Sequence, residues 1–240
     1  MTGRVPDFLG IGAQKAGTSW LCEMLRVHPQ VAFPGGKEVH FWDWHYDRGL
    51  DWYRGLFADA PADRKVGDIT PGYAVLTPPA IRTVRQAMPD ARLIFMVRNP
   101  IERAWSAAVM ILRWALMAPE EVSDAWFIDV FRSQQSLGRG DYAACLAAWL
   151  REYPPEQFLI AFYDDIARAP RPLLAGVCRH IGIGIAPDAR WTDERLSARV
   201  NAGEGTPLRP SLLAPLRDLY AERIETFSRL IGRDLSHWLR

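Results

Sequence analysis

A lysine and two hydroxyl side chains near the start of the chain have the spacing of a phosphate-binding turn. The apolar run Phe8–Gly12 predicts a strand, and a helical pattern begins at Thr18. The first N–H groups of a helix lack intrahelical partners and lie at the positive end of its dipole, where anions bind. We therefore predict an anion-binding loop, which is formed by Lys15, Ala16, Gly17, Thr18 and Ser19.

The order of residues in this loop differs from that of nucleoside triphosphatases. In their G-x-x-x-x-G-K-[ST] motif the lysine follows the second glycine. Here Gly12 and Gly17 have the same separation, but Thr18 follows Gly17, and Lys15 precedes it by two positions. A kinase-like phosphotransferase is therefore an alternative that this loop does not favour.

A second candidate anion site follows the apolar run Arg92–Val97. Arg98 would lie at the carboxyl end of this predicted strand, where open α/β sheets bind ligands, and its planar guanidinium suits a phosphate. Ser106 follows on the next predicted helix. The alternatives are that Arg98 pairs with Glu102 at the surface and that Ser106 faces solvent. Because an arginine stands where a kinase would have a Mg²⁺-binding carboxylate, we predict no metal site.

The elements that must position these groups alternate between apolar β-rich runs and helical patterns, which predicts an α/β fold with a mainly parallel sheet. Strands are predicted at Phe8–Gly12, Lys65–Asp68, Arg92–Val97 and Phe158–Phe162. Helices are predicted at Thr18–Val27, Pro79–Met88, Ile101–Leu116, Ser123–Gln134, Tyr142–Glu152, Arg171–Ile181 and Ser211–Leu230. The segment Leu196–Pro210 has the glycine and proline content of a loop, and we expect it to be mobile.

The composition predicts one globular domain over residues 1–240. Of the 240 residues, 49% are apolar and 24% are charged, which is enough for a single core. The net charge of +1 does not favour a nucleic-acid partner, since such proteins usually carry a basic excess. We expect the three cysteines, Cys22, Cys145 and Cys178, to be reduced core residues.

The sequence predicts a cytoplasmic protein without membrane insertion. No apolar run approaches the roughly 20 residues that a transmembrane helix needs. The segment from Met1 to Asp7 leads into the first predicted strand without the apolar core of a signal peptide. The oligomeric state is left open.

Three segments resemble the motifs of sulfotransferases that use 3′-phosphoadenosine 5′-phosphosulfate (PAPS). The sequence of Lys15–Trp20, K-A-G-T-S-W, is similar to their 5′-phosphosulfate loop, and Arg98–Arg103 with Ser106 is similar to their 3′-phosphate segment. The sequence of Glu38–Asp43, E-V-H-F-W-D, resembles a motif of the heparan-sulfate glucosaminyl 3-O-sulfotransferases and their bacterial relatives. The resemblance implies a P-loop-like three-layer fold and a PAPS-dependent O-sulfotransferase that releases adenosine 3′,5′-bisphosphate without a metal. It also implies an acceptor hydroxyl on a small molecule or a glycan.

The same resemblance implies roles in the reaction. Lys15 would stabilise charge on the leaving phosphate, and Glu38 would accept the proton of the acceptor hydroxyl. We expect three aromatic neighbours to shield the Glu38 carboxylate from water, namely Phe41, Trp42 and Trp44.

The assignment of the base has an alternative. His40 lies two residues after Glu38, and a histidine is the base in cytosolic sulfotransferases. A structural role is also open to His40, which would then orient the site beside Asp43. A non-enzymatic nucleotide-binding module is a further possibility, which the presence of Glu38 does not favour.

Further contacts to the nucleotide follow from the resemblance. Trp20 would stack on the adenine, with a place in the core as its alternative. Tyr163 matches a position near the nucleotide, and Arg199 matches a basic loop that touches the 3′-phosphate. One position departs from the heparan-type pattern, because Ile69 stands where those enzymes have a lysine before T-P-x-Y. This departure loosens the link to heparan acceptors in particular.

Overall fold

The computed structural model describes residues 3–187, 190–198 and 205–240. Their strands form one five-stranded sheet in the order β2-β3-β1-β4-β5, in which every neighbouring pair is parallel. The strands are β1 (Phe8–Gly12), β2 (Val31–Ala32), β3 (Lys65–Ile69), β4 (Arg92–Val97) and β5 (Phe158–Phe162). The predicted α/β fold with a mainly parallel sheet is confirmed, and the short strand β2 was missed.

Most helices lie within two residues of the predicted bounds. Four helices were not predicted: α2 (Leu50–Gly55), α6 (Gln134–Gly140), α8 (Asp164–Arg168) and α10 (Asp193–Ser197), the last of which overlaps the start of the segment Leu196–Pro210. The helices are α1 (Thr18–Arg26), α2 (Leu50–Gly55), α3 (Pro78–Ala87), α4 (Pro100–Trp114), α5 (Asp124–Arg132), α6 (Gln134–Gly140), α7 (Tyr142–Leu150), α8 (Asp164–Arg168), α9 (Pro170–Ile181), α10 (Asp193–Ser197) and α11 (Pro210–Ile231).

The helix predicted over Ser123–Gln134 is confirmed as α5, which ends two residues earlier, and Ser133 separates it from α6, which was not predicted. Ser133 has extended backbone angles, with φ of −57° and ψ of 141°. Its hydroxyl accepts a hydrogen bond from the N–H of Ser136 at 3.2 Å and thereby caps α6. It also donates to the carbonyl of Val130 at 2.7 Å. A serine that competes for backbone groups in this way ends one helix and begins the next.

The centre of the sheet is formed by β1, which pairs with β3 on one side and with β4 on the other. Every residue of β1 is buried, and β4 is buried from Leu93 to Val97. Strands of a parallel sheet are usually buried on both faces, so their sequences are continuous apolar runs in which polar residues do not alternate with apolar ones. This is why the apolar runs alone predicted both strands.

The described chain divides into two compact units. One unit comprises the described parts of Met1–Val97 and Ala148–Asn201 and contains the whole sheet. The other comprises Arg98–Ala147 and the described part of Ala202–Arg240, in which α11 packs against α4, α5 and α6. The single domain over residues 1–240 stays a prediction. In the part of the chain that the structure describes, no helix combines the length and the apolarity needed to cross a bilayer.

The three cysteines are buried and free, as predicted. Burial raises the pKa of the Cys22 thiol to about 11 and that of the Cys145 thiol to about 12. Burial also raises the pKa of Cys178 to about 11. All three thiols therefore stay protonated at neutral pH and act as small apolar groups.

Candidate active site

The predicted anion loop connects the central strand β1 to α1. Gly17 is the N-cap of α1, with a left-handed φ of 88°, and the first turn of the helix contains no acidic residue. Lys15 is half-buried and also has a left-handed φ, of 67°. Non-glycine residues adopt this conformation rarely, and such strain is concentrated at binding sites. Lys15 therefore lies in the turn directly before the N-terminus of α1, and the binding of an anion there stays a prediction.

Tyr163 lies against this loop. A Cβ atom added to Gly17 would be 3.0 Å from Cδ2 of Tyr163 and 2.6 Å from Cδ1 of Ile166. The N–H of Tyr163 donates to the carbonyl of Val97 at 2.8 Å, which fixes the residue at the end of β4. The structure thus brings Tyr163 to the phosphate loop, although its contact with a nucleotide stays a prediction.

The other predicted nucleotide contact in this region is Trp20, on the first turns of α1. Its side chain is only 3% exposed, and its indole N–H donates to the carbonyl of Leu196 at 3.1 Å. This geometry agrees with the alternative in which Trp20 belongs to the core, and stacking on adenine stays a prediction. Arg199 lies outside the described residues.

Glu38, His40 and Asp43 are joined by direct contacts. Nε2 of His40 lies 3.1 Å from Oε2 of Glu38, and Nδ1 of His40 lies 3.0 Å from Oδ2 of Asp43. The other Glu38 oxygen, Oε1, accepts a hydrogen bond from the Lys37 ammonium at 2.6 Å. The imidazole therefore lies between two carboxylates, and each Glu38 oxygen has a nitrogen neighbour. Within the described ranges, no three acidic, histidine or cysteine side chains form a group that could hold a metal ion.

The expectation that aromatic neighbours shield Glu38 stays a prediction. The Glu38 side chain is 33% exposed, whereas Phe41 and Trp42 are buried. Phe41 stacks on Tyr53 in the core, with ring centroids 4.5 Å apart. Trp44 is 65% exposed and stacks on the His40 ring instead, at 3.6 Å and an interplanar angle of 4°. The polar contacts described for Glu38 are those with the Lys37 ammonium and the His40 imidazole.

A buried polar cluster lies behind this segment, and the sequence analysis did not identify it. Asp68 on β3 is fully buried. Oδ1 of Asp68 accepts a hydrogen bond from the Thr70 hydroxyl at 2.7 Å, and Oδ2 accepts one from each of the Tyr53 and Tyr73 hydroxyls, both at 2.9 Å. Burial raises the pKa of the Asp68 carboxyl, and these hydroxyls oppose that effect. A carboxylate inside an otherwise apolar strand was the available signal, because buried polar groups need partners.

Ile69, which departs from the heparan-type pattern, is also fully buried. A Cβ atom added to Gly10 would lie 2.8 Å from Cγ1 of Ile69. The isoleucine therefore packs onto the bare backbone of the central strand. In this segment Lys37, and not residue 69, places an ammonium next to the Glu38 carboxylate.

Arg98 and Ser106 belong to the second compact unit. Arg98 donates from Nε and Nη2 to Oε2 of Glu102, at 3.0 and 2.8 Å, so the structure contains the surface pair that the sequence left as an alternative. The carbonyl of Arg98 accepts a hydrogen bond from the Tyr142 hydroxyl at 2.8 Å. Ser106 is half-buried on α4. Binding of a 3′-phosphate by Arg98 and Ser106 stays a prediction.

A parallel sheet whose central strand leads into an anion-binding turn is the architecture of nucleotide-binding α/β proteins. Comparison with known proteins identifies the family within this class. The model of the sulfotransferase domain family matches residues 5–200. The chain belongs to this family.

Characterised relatives and a solved structure agree with this assignment. The chain is 34% identical over 191 residues to mouse heparan sulfate glucosamine 3-O-sulfotransferase 6, a match that covers 75% of this chain and 53% of the relative. It is 34% identical over 186 residues to human heparan sulfate glucosamine 3-O-sulfotransferase 3B1, covering 75% and 47%. The chain thus spans about half the length of these relatives. A sulfotransferase from Alicyclobacillus acidocaldarius is similar in structure, with a TM-score of 0.78, 26% identity, and coverage of 99% of this chain and 100% of that one.

Proposed function

We propose that this protein is a PAPS-dependent O-sulfotransferase that transfers a sulfuryl group to a hydroxyl of a small molecule or a glycan. The observation that carries the proposal is the contact chain Glu38–His40–Asp43, which lies in the segment whose sequence resembles a motif of the 3-O-sulfotransferases. The names of those relatives support a sugar hydroxyl as the acceptor. A cytoplasmic location stays a prediction.

Two groups of residues would hold the donor nucleotide. The loop from Lys15 to Ser19 would bind the 5′-phosphosulfate, because its lysine and the N-terminus of α1 both favour an anion. Arg98 and Ser106 would bind the 3′-phosphate, and Arg199 would add a cation there. The fit is supported by the first turn of α1, which carries no acidic residue that would repel the donor. When bound, PAPS supplies an activated sulfuryl group.

Glu38 is the residue that we assign as general base. In the proposed reaction its carboxylate accepts the proton of the acceptor hydroxyl, while the hydroxyl oxygen bonds to sulfur and the bond from sulfur to the phosphate oxygen breaks. Lys15 stabilises the negative charge that develops on that phosphate oxygen. As in phosphoryl transfer, positioning and electrostatic stabilisation account for most of the rate.

His40 is better suited to orient the base than to replace it. Its ring is 15% exposed, against 33% for the Glu38 side chain, and both of its nitrogens are in contact with carboxylates. A hydroxyl from solvent therefore reaches Glu38 more readily than it reaches either imidazole nitrogen. Asp43 fixes the orientation of the imidazole, and the imidazole in turn holds Oε2 of Glu38.

Two measurements test this proposal. Calorimetry without added metal should show tighter binding of adenosine 3′,5′-bisphosphate than of ATP, because two phosphate sites match the first ligand. Radiolabelled PAPS, incubated with the protein and a panel of sugar and small-molecule alcohols, should yield a labelled acceptor. Comparable affinity for ATP, or binding that depends on Mg²⁺, would favour a phosphotransferase instead.

A further inference from the structure

We propose that Asp68 is a positioning residue of the reaction, which fixes the backbone that carries Glu38 and His40. This inference rests on the proposed function of the site. Asp68 touches neither of these two side chains directly. Its effect is transmitted by the hydroxyls of Thr70 and Tyr73, which lie between the buried carboxylate and the backbone that follows Glu38.

The two hydroxyls hold three consecutive backbone N–H groups. The Thr70 Oγ1 atom accepts from the N–H of Val39 at 3.0 Å and from that of His40 at 3.4 Å. The Tyr73 hydroxyl accepts from the N–H of Phe41 at 3.0 Å. These contacts connect residues about thirty positions apart in the sequence and join the segment after Glu38 to the end of β3.

The direction of each hydrogen bond is fixed by the backbone. An N–H group can only donate, so the Thr70 and Tyr73 oxygens must accept from it and direct their own protons elsewhere. Those protons go to Asp68, at 2.7 Å from Thr70 and 2.9 Å from Tyr73. A group that accepts at both oxygens is therefore required at position 68. Asparagine cannot meet this requirement, because its NH₂ group cannot accept the proton of the hydroxyl that faces it.

The backbone conformation of the segment 39–41 must be held in place by contacts with other parts of the protein. His40 has a left-handed φ of 55°, an unfavourable conformation that a non-glycine residue keeps only where its surroundings impose it. Its carbonyl accepts from the N–H groups of Trp44 and His45, each at 3.0 Å, which fixes the other side of the same residue. The Asp68 cluster thus completes the restraint on the turn from which the base projects.

Tyr73 and Tyr53 provide a matched pair for a test. Both are fully buried, and both donate to Oδ2 of Asp68 at 2.9 Å. Among the described residues, no N–H of the segment 39–41 donates to the Tyr53 hydroxyl, whereas Phe41 donates to that of Tyr73. Replacing either tyrosine by phenylalanine removes one hydroxyl and keeps the ring, so the two variants differ in the contact to the catalytic segment.

The expected result is a much larger loss of kcat in one variant than in the other. Tyr73→Phe should lower kcat about 10- to 100-fold, the scale on which small displacements of a reacting group act, with an unchanged Kd for adenosine 3′,5′-bisphosphate. Tyr53→Phe should lower kcat much less, because the Tyr53 hydroxyl holds Asp68 but no backbone N–H of residues 39–41 among the described contacts. Thr70→Val should behave like Tyr73→Phe, and Thr70→Ser, which keeps the hydroxyl, should restore kcat. Equal values of kcat for Tyr73→Phe and Tyr53→Phe would overturn the proposal.

Amide hydrogen exchange tests the positioning role of Asp68 independently of the proposed sulfotransferase activity. In Asp68→Asn the amides of Val39 and Phe41 should exchange faster, while amides of β1 keep their wild-type rates. Unchanged exchange at Val39 and Phe41 would overturn the positioning role even in an active enzyme. Failure of the wild type to transfer sulfuryl groups from PAPS would instead overturn the proposed function. Should Asp68→Asn fail to fold, Thr70→Val tests the amide of Val39 and Tyr73→Phe tests that of Phe41.

Discussion

Arg98 directs two N–H groups, Nε and Nη2, to a single oxygen of Glu102. The pair is separated by one helical turn, and the Glu102 side chain is largely exposed. A phosphate that binds to Arg98 must therefore displace or share this carboxylate. Exposed ion pairs contribute only about 0–1 kcal/mol, so the competition is weak and can be measured.

We expect Glu102→Gln to strengthen the binding of adenosine 3′,5′-bisphosphate by up to about fivefold, since the competing charge is removed. Arg98→Ala should weaken it by at least about tenfold, because a charge-assisted hydrogen bond contributes roughly 1.5–3 kcal/mol. Calorimetry gives both values. Adenosine 5′-phosphosulfate, which lacks the 3′-phosphate, is the control ligand, and its affinity should change little. An equal loss of both ligands in Arg98→Ala would mean that Arg98 supports the fold.

Glu38→Gln should lower turnover by roughly 10²- to 10⁴-fold, the usual contribution of a positioned base. The amide keeps the shape of the side chain but cannot accept a proton at neutral pH. The affinity for adenosine 3′,5′-bisphosphate should be unchanged, because Glu38 does not belong to either phosphate site. The matched variant is His40→Asn, which should reduce turnover less. The reverse order of the two effects would assign the base to His40.

Gly17→Ala should destabilise the fold by about 1–3 kcal/mol and weaken nucleotide binding. Its φ of 88° is unfavourable for alanine, and the new methyl group would lie 2.6 Å from Ile166. Gly176→Ala is the control, since this helical glycine has open space around it and alanine there should stabilise by about 0.5–1 kcal/mol. Urea unfolding with and without adenosine 3′,5′-bisphosphate measures both effects. A fully stable Gly17→Ala protein would show that the loop can rearrange.

Stability should fall as the pH is lowered below about 6.5, in part because of His28. Burial lowers the pKa of this histidine, whose Nε2 contacts the carbonyl of Gly184 at 3.0 Å and whose Nδ1 accepts from the N–H of Gln30 at 3.1 Å. The unfolded chain therefore takes up the proton first. The contribution of His28 to stability is complete above its pKa in the unfolded chain, and it is lost as the pH falls towards its lower pKa in the folded protein.

The measurement for His28 is urea unfolding at pH 7.5 and pH 5.5. His28→Gln cannot gain a proton, so its free energy of unfolding should fall less over this range than that of the wild type. Each tenfold difference in proton affinity between the folded and the unfolded chain corresponds to about 1.4 kcal/mol of this free energy. An identical decline in both proteins would assign the acid sensitivity to other groups, of which His180 is one, since burial lowers its pKa too.

Leu116→Gly should stabilise the protein by up to about 1 kcal/mol. Leu116 follows the end of α4 with a left-handed φ of 56°, and it is 93% exposed, so it contributes little packing. The corresponding positions after α9 and α11 are Gly182 and Gly232, with φ of 75° and 64°. Glycine is the residue that this helix end favours. A lower melting temperature for Leu116→Gly would show that the leucine makes a contact in solution.

Local sequence patterns correctly predicted those strands that consist of a long apolar run. Strands β1 and β4 are buried on both faces, so their composition alone identified them. The anion loop was also a local signal, because Lys15 and Gly17 lie in one turn of chain. Helix α6 was missed because a single serine side chain, that of Ser133, rather than a change of apolar period, separates it from α5.

The parts of the site that could not be predicted depend on contacts between distant residues. The Thr70 hydroxyl meets the N–H of Val39 across 31 positions, and no local pattern contains that pairing. The exposure of Glu38 depends on which neighbours turn inward, and Phe41 does so because Tyr53 offers it a stacking partner. Whether Arg98 pairs with Glu102 or with a ligand depends on the relative strength of the two contacts, and the sequence alone does not give that strength.

The position of β1 in the middle of the sheet has a kinetic consequence. The anion loop starts from a strand with hydrogen-bonded neighbours on both sides and ends in α1, whose Leu21 and Leu25 are buried. A loop restrained at both ends loses little backbone entropy when a ligand binds, whereas ordering a flexible residue costs about 1–2 kcal/mol. A loop restrained in this way would bind the spent nucleotide nearly as well as the donor. We therefore expect adenosine 3′,5′-bisphosphate to inhibit the reaction as it accumulates.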